Sequence, residues 1–331
     1  MKKFKVAVSD YVFPDLKPEE EILSPLGVEI LSGQSRSVEE LIALTKEADA
    51  LLNCYFKPVG EEVFRASPRL KTVVRYGIGV DTIDIPAATR YGIMVANIPD
   101  YCLEEVSDHT ISLIFALSRK IVLSDKKVKE GDYSLSYLKP IFKLQGKTIG
   151  FLGFGRIAQM VAKKLANFGL KFIFYDPYLK EDAVEKTQKV SLQEILSSSD
   201  YLLVHTPETK ETAHLLNRET LSLMKPTACL INTARGGIID TPALIEMLQS
   251  GKLAGAGLDV MEGIPPINPD HLLCKMDNVI LTPHSAWYSE DALRELQTKA
   301  AQEVARVLSG EKPRSLLNPE VLKTENFKLS L

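Results

Sequence analysis

Residues 147–177 read KTIGFLGFGRIAQMVAKKLANFGLKFIFYDP and decide the fold of the chain. The apolar run Thr148–Leu152 has the length of a buried strand, and a glycine turn follows it at Gly153–Ala158. The next apolar residues recur at helical spacing and end before Gly169: Ile157, Val161, Leu165 and Phe168. A second apolar run, Phe172–Tyr175, stops at Asp176. The stretch predicts a strand, a glycine turn, a helix, a second strand and a terminal acid.

This spacing is the fingerprint of a dinucleotide-binding unit. Gly153 permits the tight turn, Gly155 lets the backbone approach a pyrophosphate, and the small Ala158 lets helix and strand pack closely. The helix N-terminus offers N–H groups to the phosphates, and Asp176, about 20 residues after Gly155, can accept from a ribose 2′-OH. An ordinary crossover with a glycine turn is the alternative, but it does not require the terminal acid. The sequence predicts NAD rather than NADP, because Asp176 would repel a 2′-phosphate.

Length and composition limit the class of protein to which the chain can belong. A chain of 331 residues favours two domains, and 45% hydrophobic with 25% charged residues is typical of a globular protein. The net charge of −3, without a basic patch, argues against direct nucleic-acid binding. The first ten residues, MKKFKVAVSD, do not resemble a signal peptide, and the sequence contains no apolar run of membrane-spanning length. The four cysteines show neither metal nor disulfide spacing, so we expect no metal and a cytoplasmic location.

The first hundred residues alternate strand and helix patterns, which predicts a parallel sheet with helices on both faces. This half has no second nucleotide fingerprint, and Pro99 suits a domain crossing. Residues 103–122 then read as one long amphipathic helix, within which His109 is interpreted as a packed or hydrogen-bonded residue. A more polar stretch, 124–146, leads to the fingerprint, and the tail from Gly310 shows no clear role.

Three polar residues follow apolar strands in the second half of the chain: Arg235, Asp259 and His284. Strand ends gather along one crevice of an open α/β sheet, so these side chains are expected to converge. Hydride transfer to a carbonyl leaves an alkoxide that needs a proton, and an imidazole such as His284 titrates in the right range. The planar fork of Arg235 suits a substrate carboxylate, with a surface salt bridge as its alternative.

Several motifs together resemble the D-2-hydroxyacid dehydrogenase family. They are the loop Arg75–Asp81 and the segments Gly153–Ile157, Asn232–Gly237, Gly257–Val260 and Thr282–Ser289, so the resemblance covers nearly the whole chain. Asp176-Pro-Tyr and the run Ala286–Glu290 are most similar to the branch of the C-terminal binding proteins, which are transcriptional corepressors with a dehydrogenase fold.

The resemblance implies two doubly wound parallel-sheet domains around a cleft. A flavodoxin-like substrate domain would be discontinuous, made of residues 1–100 and 297–331, and a Rossmann NAD-binding domain would occupy residues 101–296. The long helix from Leu103 resembles the dimerisation element of the family, so the resemblance also implies a homodimer.

The resemblance also implies a role for individual residues. His284 would donate the proton, and Arg235 would bind the carboxylate and carbonyl of a 2-keto acid. The cofactor would be lined by Ile78, Val106, Gly153, Phe154, Gly155, Arg156, Ile157, Asp176, Thr206, Pro207, Thr212, Thr233, Ala234, Asp259 and His284. The substrate would contact Arg75, Ile78, Gly79, Arg235 and Trp287. Trp287 would wall the pocket and favour a bulky side chain on the substrate; a core anchor is its alternative.

One departure from the family pattern concerns the partner of His284. The family places a Glu before a proline, where it hydrogen-bonds the catalytic His; here Ile264 stands at that position, and Glu262 lies two residues earlier. The replacement leaves a second function open, an NAD(H)-sensing, corepressor-like binding protein with little turnover.

Overall fold

The computed structural model describes residues 4–55, 58–179, 187–263 and 267–327, and the chain divides into two compact units. The first unit runs to Tyr101 and resumes at Ser289, and the second is Cys102–Tyr288. The chain thus returns to the first unit at Ser289, whereas the boundary expected from the sequence was residue 297. The reason is that residues Glu290–Leu308 form one continuous helix, which the earlier boundary would have cut.

The first unit is built on a parallel sheet. Its described strands are β1 (Phe4–Val8), β2 (Val28–Ser32), β3 (Ala50–Asn53), β4 (Thr72–Arg75) and β5 (Met94–Ala96). Its described helices are α1 (Lys17–Leu23), α2 (Val38–Thr45), α3 (Glu61–Ala66), α4 (Ile85–Arg90) and α11 (Glu290–Leu308). The strand order β2-β1-β3-β4-β5 is flavodoxin-like, which confirms that part of the expected fold. The sequence pattern does not indicate β2 or α1, since β2 is a half-exposed edge strand and α1 is rich in Glu.

The C-terminal tail has a structural role that the sequence did not reveal. Leu316 forms an antiparallel bridge with Ala96, so the tail lies along β5, an edge strand of the sheet. Asn318 is fully buried; its Oδ1 accepts from the N–H of Val95 at 2.9 Å, and its Nδ2 donates to the carbonyl of Ile93 at 2.9 Å. The tail therefore satisfies backbone groups that an open edge would expose.

The second unit contains the fingerprint. Its described strands are β6 (Thr148–Leu152), β7 (Lys171–Tyr175), β8 (Thr187–Lys189), β9 (Tyr201–Val204), β10 (Cys229–Asn232), β11 (Gly255–Leu258) and β12 (Val279–Leu281). Its described α-helices are α5 (Leu103–Arg119), α6 (Ile121–Lys129), α7 (Arg156–Lys164), α8 (Leu192–Ser198), α9 (Arg218–Leu221) and α10 (Thr241–Gln249). The strand order is β12-β11-β10-β9-β6-β7-β8. From β6 the chain adds β7 and β8 on one side and then returns to add β9 to β12 on the other, so the order of strand addition reverses at β6, as in a Rossmann fold. Both units are thus parallel-sheet α/β folds, as the sequence predicted.

The register of this sheet aligns the ends of its strands. One row of neighbouring residues crosses the sheet at its carboxyl edge: Tyr175, Leu152, Val204, Asn232, Leu258 and Leu281. Each loop that the sequence analysis selected in this unit begins immediately after a residue of this row. Within the sheet, the candidate residues therefore follow neighbouring strands on one edge.

Two helices differ from their prediction. The helix expected over 103–122 breaks at Lys120, whose φ of +51° lies in the left-handed region, so α5 and α6 are separate. Composition does not reveal this break, because Lys is normally a good helix former. Helix α7 ends at Lys164, and the N–H groups of Ala166 and Phe168 bond carbonyls three residues back. This tighter turn rotates Phe168 outward, so its side chain is 47% exposed rather than part of the buried face.

None of the helices in the described ranges combines the length and the apolar character needed to cross a membrane.

Candidate active site

The glycine turn lies at the point where the strand order reverses. Gly153 has a φ of +85°, and a Cβ there would lie 2.9 Å from the carbonyl of His205 and the N–H of Thr206. At Gly155, in contrast, a Cβ would meet only open space. Gly155 is the N-cap of α7, and none of the described side chains caps this helix, which leaves its first N–H groups for a ligand. The turn therefore fits a pyrophosphate approaching the N-terminus of α7.

Asp176 is held beside this turn by the backbone. Its Oδ2 accepts from the N–H of Phe154 at 3.0 Å, and its Oδ1 accepts from the N–H of Tyr178 at 2.9 Å. The carboxylate is thus fixed at the end of β7, where it fits a ribose hydroxyl better than a phosphate. The side chain of Phe154 is buried and stacks on Phe174 at 4.6 Å, so only its backbone belongs to the turn.

The remaining turn residues that the sequence predicted lie at the start of α7. Arg156 is its first residue and is exposed, and the half-buried Ile157 follows it. An exposed guanidinium beside uncapped N–H groups adds positive charge to the site.

The loop after β9 is organised by Thr212. Its hydroxyl donates to the carbonyl of Pro207 at 2.7 Å and accepts from the N–H of Thr209 at 2.7 Å. Thr206, at the start of this loop, lies against the glycine turn. These contacts place the loop 206–212 next to the fingerprint at the carboxyl edge of the sheet.

Helix α5 is joined to the loop after β10 by two hydroxyl groups. The Thr110 hydroxyl lies 2.8 Å from the carbonyl of Val106 and 3.0 Å from the hydroxyl of Thr233. Val106 is buried, and Thr233 and Ala234 are half-buried. Val106 and Thr233, which were predicted to line the cofactor, are thus joined through Thr110, and Ala234 directly follows Thr233.

The conformation of the Arg235 loop is fixed by an Asn that the sequence analysis quoted only as part of a motif. Asn232 is fully buried; its Oδ1 accepts from the N–H of Ala234 at 3.0 Å and its Nδ2 donates to the carbonyl of Arg235 at 2.8 Å. The guanidinium of Arg235 donates to the carbonyl of Ala234 at 2.8 Å. A Cβ on Gly236 would lie 2.2 Å from the carbonyl carbon of Met261, so the next loop packs directly on this one.

The turn that carries His284 surrounds Asp259. The carboxylate of Asp259 accepts from the N–H groups of Ser285 at 2.9 Å and Ala286 at 3.0 Å, and its carbonyl accepts from the N–H of His284 at 2.9 Å. The hydroxyl of Thr282 also donates to Oδ1 of Asp259, at 2.5 Å. The Asp259 side chain, predicted to line the cofactor, is therefore also the anchor of the His284 turn.

Glu262 lies with a different histidine. Its Oε1 is 2.5 Å from Nε2 of His214, and this hydrogen bond raises the pKa of His214 above its ordinary value. Ile264, at the position of the family Glu, lies outside the described residues.

Trp287 follows the same turn. Its ring is half-buried and packs edge-on against Tyr288, with 5.6 Å between ring centroids.

Arg75, Ile78 and Gly79 belong to the first unit. Arg75 is 9% exposed and its guanidinium lies 5.7 Å from the ring centroid of Tyr55, while its Nε has no hydrogen-bond acceptor among the described residues. The carbonyl of Ile78 accepts from Nδ2 of Asn97 at 2.6 Å. A buried guanidinium with an unused donor is suited to an anionic ligand.

Two residues near His284 escaped the sequence analysis as site residues, His109 and Thr282. Nε2 of His109 contacts the hydroxyl of Thr282 at 3.0 Å. The interpretation of His109 as a hydrogen-bonded residue is thus confirmed, but its partner lies 173 positions away, and no local pattern indicates it.

Comparison with known proteins assigns the chain to a family. Residues 111–286 match the family described as "D-isomer specific 2-hydroxyacid dehydrogenase, NAD binding domain". The glyoxylate reductase of Thermofilum pendens is 42% identical over 294 residues, 87% of this chain and 86% of that protein. The D-3-phosphoglycerate dehydrogenase of Methanocaldococcus jannaschii is 37% identical over 318 residues, 95% of this chain and 59% of that protein.

A solved structure gives the same assignment. The D-lactate dehydrogenase of Aquifex aeolicus, complexed with NAD and lactic acid, has a TM-score of 0.83 and 32% identity, covering 93% of this chain and 96% of that one. The matched domain is an NAD-binding domain, and NAD is the cofactor of this protein. The chain belongs to the D-isomer specific 2-hydroxyacid dehydrogenase family.

Proposed function

We propose that this protein interconverts a 2-keto acid and a D-2-hydroxy acid, with His284 as proton donor and Arg235 as carboxylate ligand. One observation carries the proposal: Arg235, Asp259 and His284 follow the neighbouring strands β10, β11 and β12 at one edge of the sheet. This edge also carries the glycine turn that fits the cofactor pyrophosphate.

The proposed chemistry divides between two side chains. NAD, when bound, carries the hydride. Arg235 orients the substrate because its fork pairs with the carboxylate, and its positive charge stabilises the negative charge that develops on the carbonyl oxygen. His284 gives that oxygen its proton as general acid, and takes the proton back in the oxidation direction.

Further substrate contacts are assigned by similarity. In the first unit these are Arg75, Ile78 and Gly79; the unused Nε of Arg75 supports its assignment as a ligand of an anionic group. In the second unit it is Trp287, which follows the His284 turn. The two units are assigned as substrate domain and NAD-binding domain.

A panel of keto acids tests this function. We expect NADH oxidation, followed by the loss of NADH absorbance, with one or more members of a series that begins at glyoxylate and increases in side-chain size. The product should be the D enantiomer, which chiral chromatography resolves. Absence of turnover across the series, in protein that binds NADH, would contradict the proposal.

The replacement at Ile264 favours one rival, an NAD(H)-sensing binding protein with little turnover. The family carboxylate is missing at this position, and Glu262 contacts His214. The relatives reported above are enzymes by name, and none supports the corepressor-like branch.

The substitution Ile264→Glu tests the rival. If wild-type keto-acid reduction is slow at pH 7, Ile264→Glu should increase its rate and shift its pH dependence to higher pH, because a carboxylate beside an imidazole favours the charged form. Fast wild-type turnover above about pH 7.5 would show that His284 does not depend on that carboxylate.

A homodimer is the proposed assembly. Helix α6 and the segment after it expose a series of large apolar side chains: Ile121, Val122, Val128, Tyr133, Leu135 and Phe142. A cavity of about 370 Å³ lies beside them, lined by residues such as Leu117 and Ile280. Exposed apolar surface of this kind is typical of an interface. Light scattering should give twice the monomer mass, and Val122→Glu with Val128→Glu should give the monomer.

A further inference from the structure

His284 has a backbone conformation that needs support. Its φ of +55° lies in the left-handed region, which is unfavourable for a residue with a side chain. The next two N–H groups, those of Ser285 and Ala286, converge on the carboxylate of Asp259. Successive N–H groups in such a turn form a concave site for an anion, and Asp259 fills it from inside the protein. The turn therefore depends on the position of this carboxylate.

Thr282 and His109 hold the carboxylate in turn. The hydroxyl of Thr282 has one hydrogen, which it donates to Oδ1 of Asp259 at 2.5 Å. At its 3.0 Å contact with His109, Thr282 must then accept, so Nε2 of His109 carries a hydrogen. Nε2 of His109 is also 3.7 Å from Oδ1 of Asp259. A directed chain of hydrogen bonds therefore runs from His109 through Thr282 to Asp259 and then to the turn.

This chain joins distant parts of the second unit. His109 belongs to α5, Thr282 follows β12 and Asp259 follows β11. The Asp259 side chain is 1% exposed and that of His109 is 23% exposed, so the bonds lie largely away from solvent. Polar bonds shielded from water hold their geometry more firmly than exposed ones.

We propose that His109 and Thr282 are positioning residues for His284. They act through Asp259: they fix its carboxylate, which fixes the left-handed turn and so the direction of the imidazole. The effect on catalysis rests on the proposed function, whereas the effect on the turn does not.

The turn contains a fluorescent side chain, so the order of the turn can be measured separately from catalysis. Trp287 is the only tryptophan of the chain and lies directly after Ala286, whose N–H is bound to Asp259. Acrylamide quenching of its fluorescence therefore measures the order of the turn in protein without cofactor or substrate.

The test compares two substitutions of the same residue. Thr282→Val keeps the shape of the side chain and removes the hydroxyl, whereas Thr282→Ser keeps the hydroxyl. Thr282→Val should raise the quenching constant of Trp287 and lower kcat for keto-acid reduction by about 10- to 100-fold, as misplacement of a catalytic group does. Thr282→Ser should keep both the quenching constant and kcat close to their wild-type values.

Two further variants complete the design. His109→Phe keeps an aromatic ring and removes the Nε2 donor, so it should give a smaller change in the same direction; it also serves if Thr282→Val does not fold. Ser112→Ala is the matched control, because the hydroxyl of Ser112 lies on the same helix but donates to the carbonyl of Asp108.

The outcomes are distinguishable. Unchanged quenching and kcat in both Thr282→Val and His109→Phe would overturn the proposal. So would equal impairment of the Val and Ser variants, since the methyl group rather than the hydroxyl would then matter. If quenching changes as expected but wild type reduces no keto acid, the dehydrogenase function fails while the positioning of the turn stands.

Discussion

Two Gly→Ala substitutions that look alike in the sequence should have different consequences: Gly236→Ala should destabilise the fold, whereas Gly155→Ala should weaken NADH binding. Gly236 and Gly155 each lie in a loop at the carboxyl edge of the same sheet. A Cβ on Gly236 would lie 2.2 Å from the carbonyl carbon of Met261 and 2.4 Å from the N of Glu262, whereas a Cβ on Gly155 would meet nothing within 4 Å. The first site is therefore closed by backbone, and the second is open.

The distances set the size of the effect at Gly236. Carbon atoms in contact lie about 3.5–4.0 Å apart, so the two loops must separate by more than about 1 Å to admit a methyl group. Overpacking of this kind costs about 1–3 kcal/mol. For a domain of 150–250 residues each kcal/mol lowers Tm by about 2–4 °C. Because Arg235 immediately precedes Gly236, the displacement should also lower kcat by up to about 100-fold.

Gly155→Ala should change stability by less than about 1 kcal/mol, because the weaker N-cap is offset by reduced freedom of the unfolded chain. Its methyl group would instead occupy the space into which a pyrophosphate fits, so NADH binding should weaken. Thermal unfolding and NADH fluorescence titration of both variants provide the comparison. If Gly236→Ala unfolds with wild type and keeps its kcat, the close approach of the two loops is refuted.

The remaining predictions concern single side chains. His284→Ala should lower keto-acid reduction by about 10²–10⁴-fold with NADH binding retained, and a loss below about threefold would exclude His284 as the donor. Arg235→Lys should also fail in the same assay, because an ammonium cannot reproduce the planar fork; near-normal kcat/KM would refute its bidentate role. Asp176→Ser should weaken NADH binding relative to NADPH, and a titration in which wild type prefers NADPH would contradict the role of this carboxylate. Glu262→Gln should lower the pKa of His214, which Glu262 raises by its hydrogen bond, without changing the pH profile of reduction; NMR titration of the imidazole measures the first effect, and a shifted profile would show that Glu262 also supports His284.

The sequence alone determined the parts of this protein whose physics is local. A strand, a glycine turn, a helix and a terminal acid are contiguous, so periodicity and steric limits reveal them without any knowledge of the rest. The same holds for Arg235, Asp259 and His284 as polar residues after apolar strands, since parallel strands bring their carboxyl ends to one edge.

Only the tertiary structure decided what these residues contact. Asp259 proved to hold the His284 turn, Glu262 to pair with His214, and His109 to reach Thr282, across separations that no short pattern encodes. The helix break at Lys120 likewise depends on a left-handed backbone conformation, which cannot be inferred from a residue that normally favours helices. Hydrogen bonds and close packing between distant segments depend on where the folded backbone places them, whereas strand and helix patterns depend on neighbours along the chain.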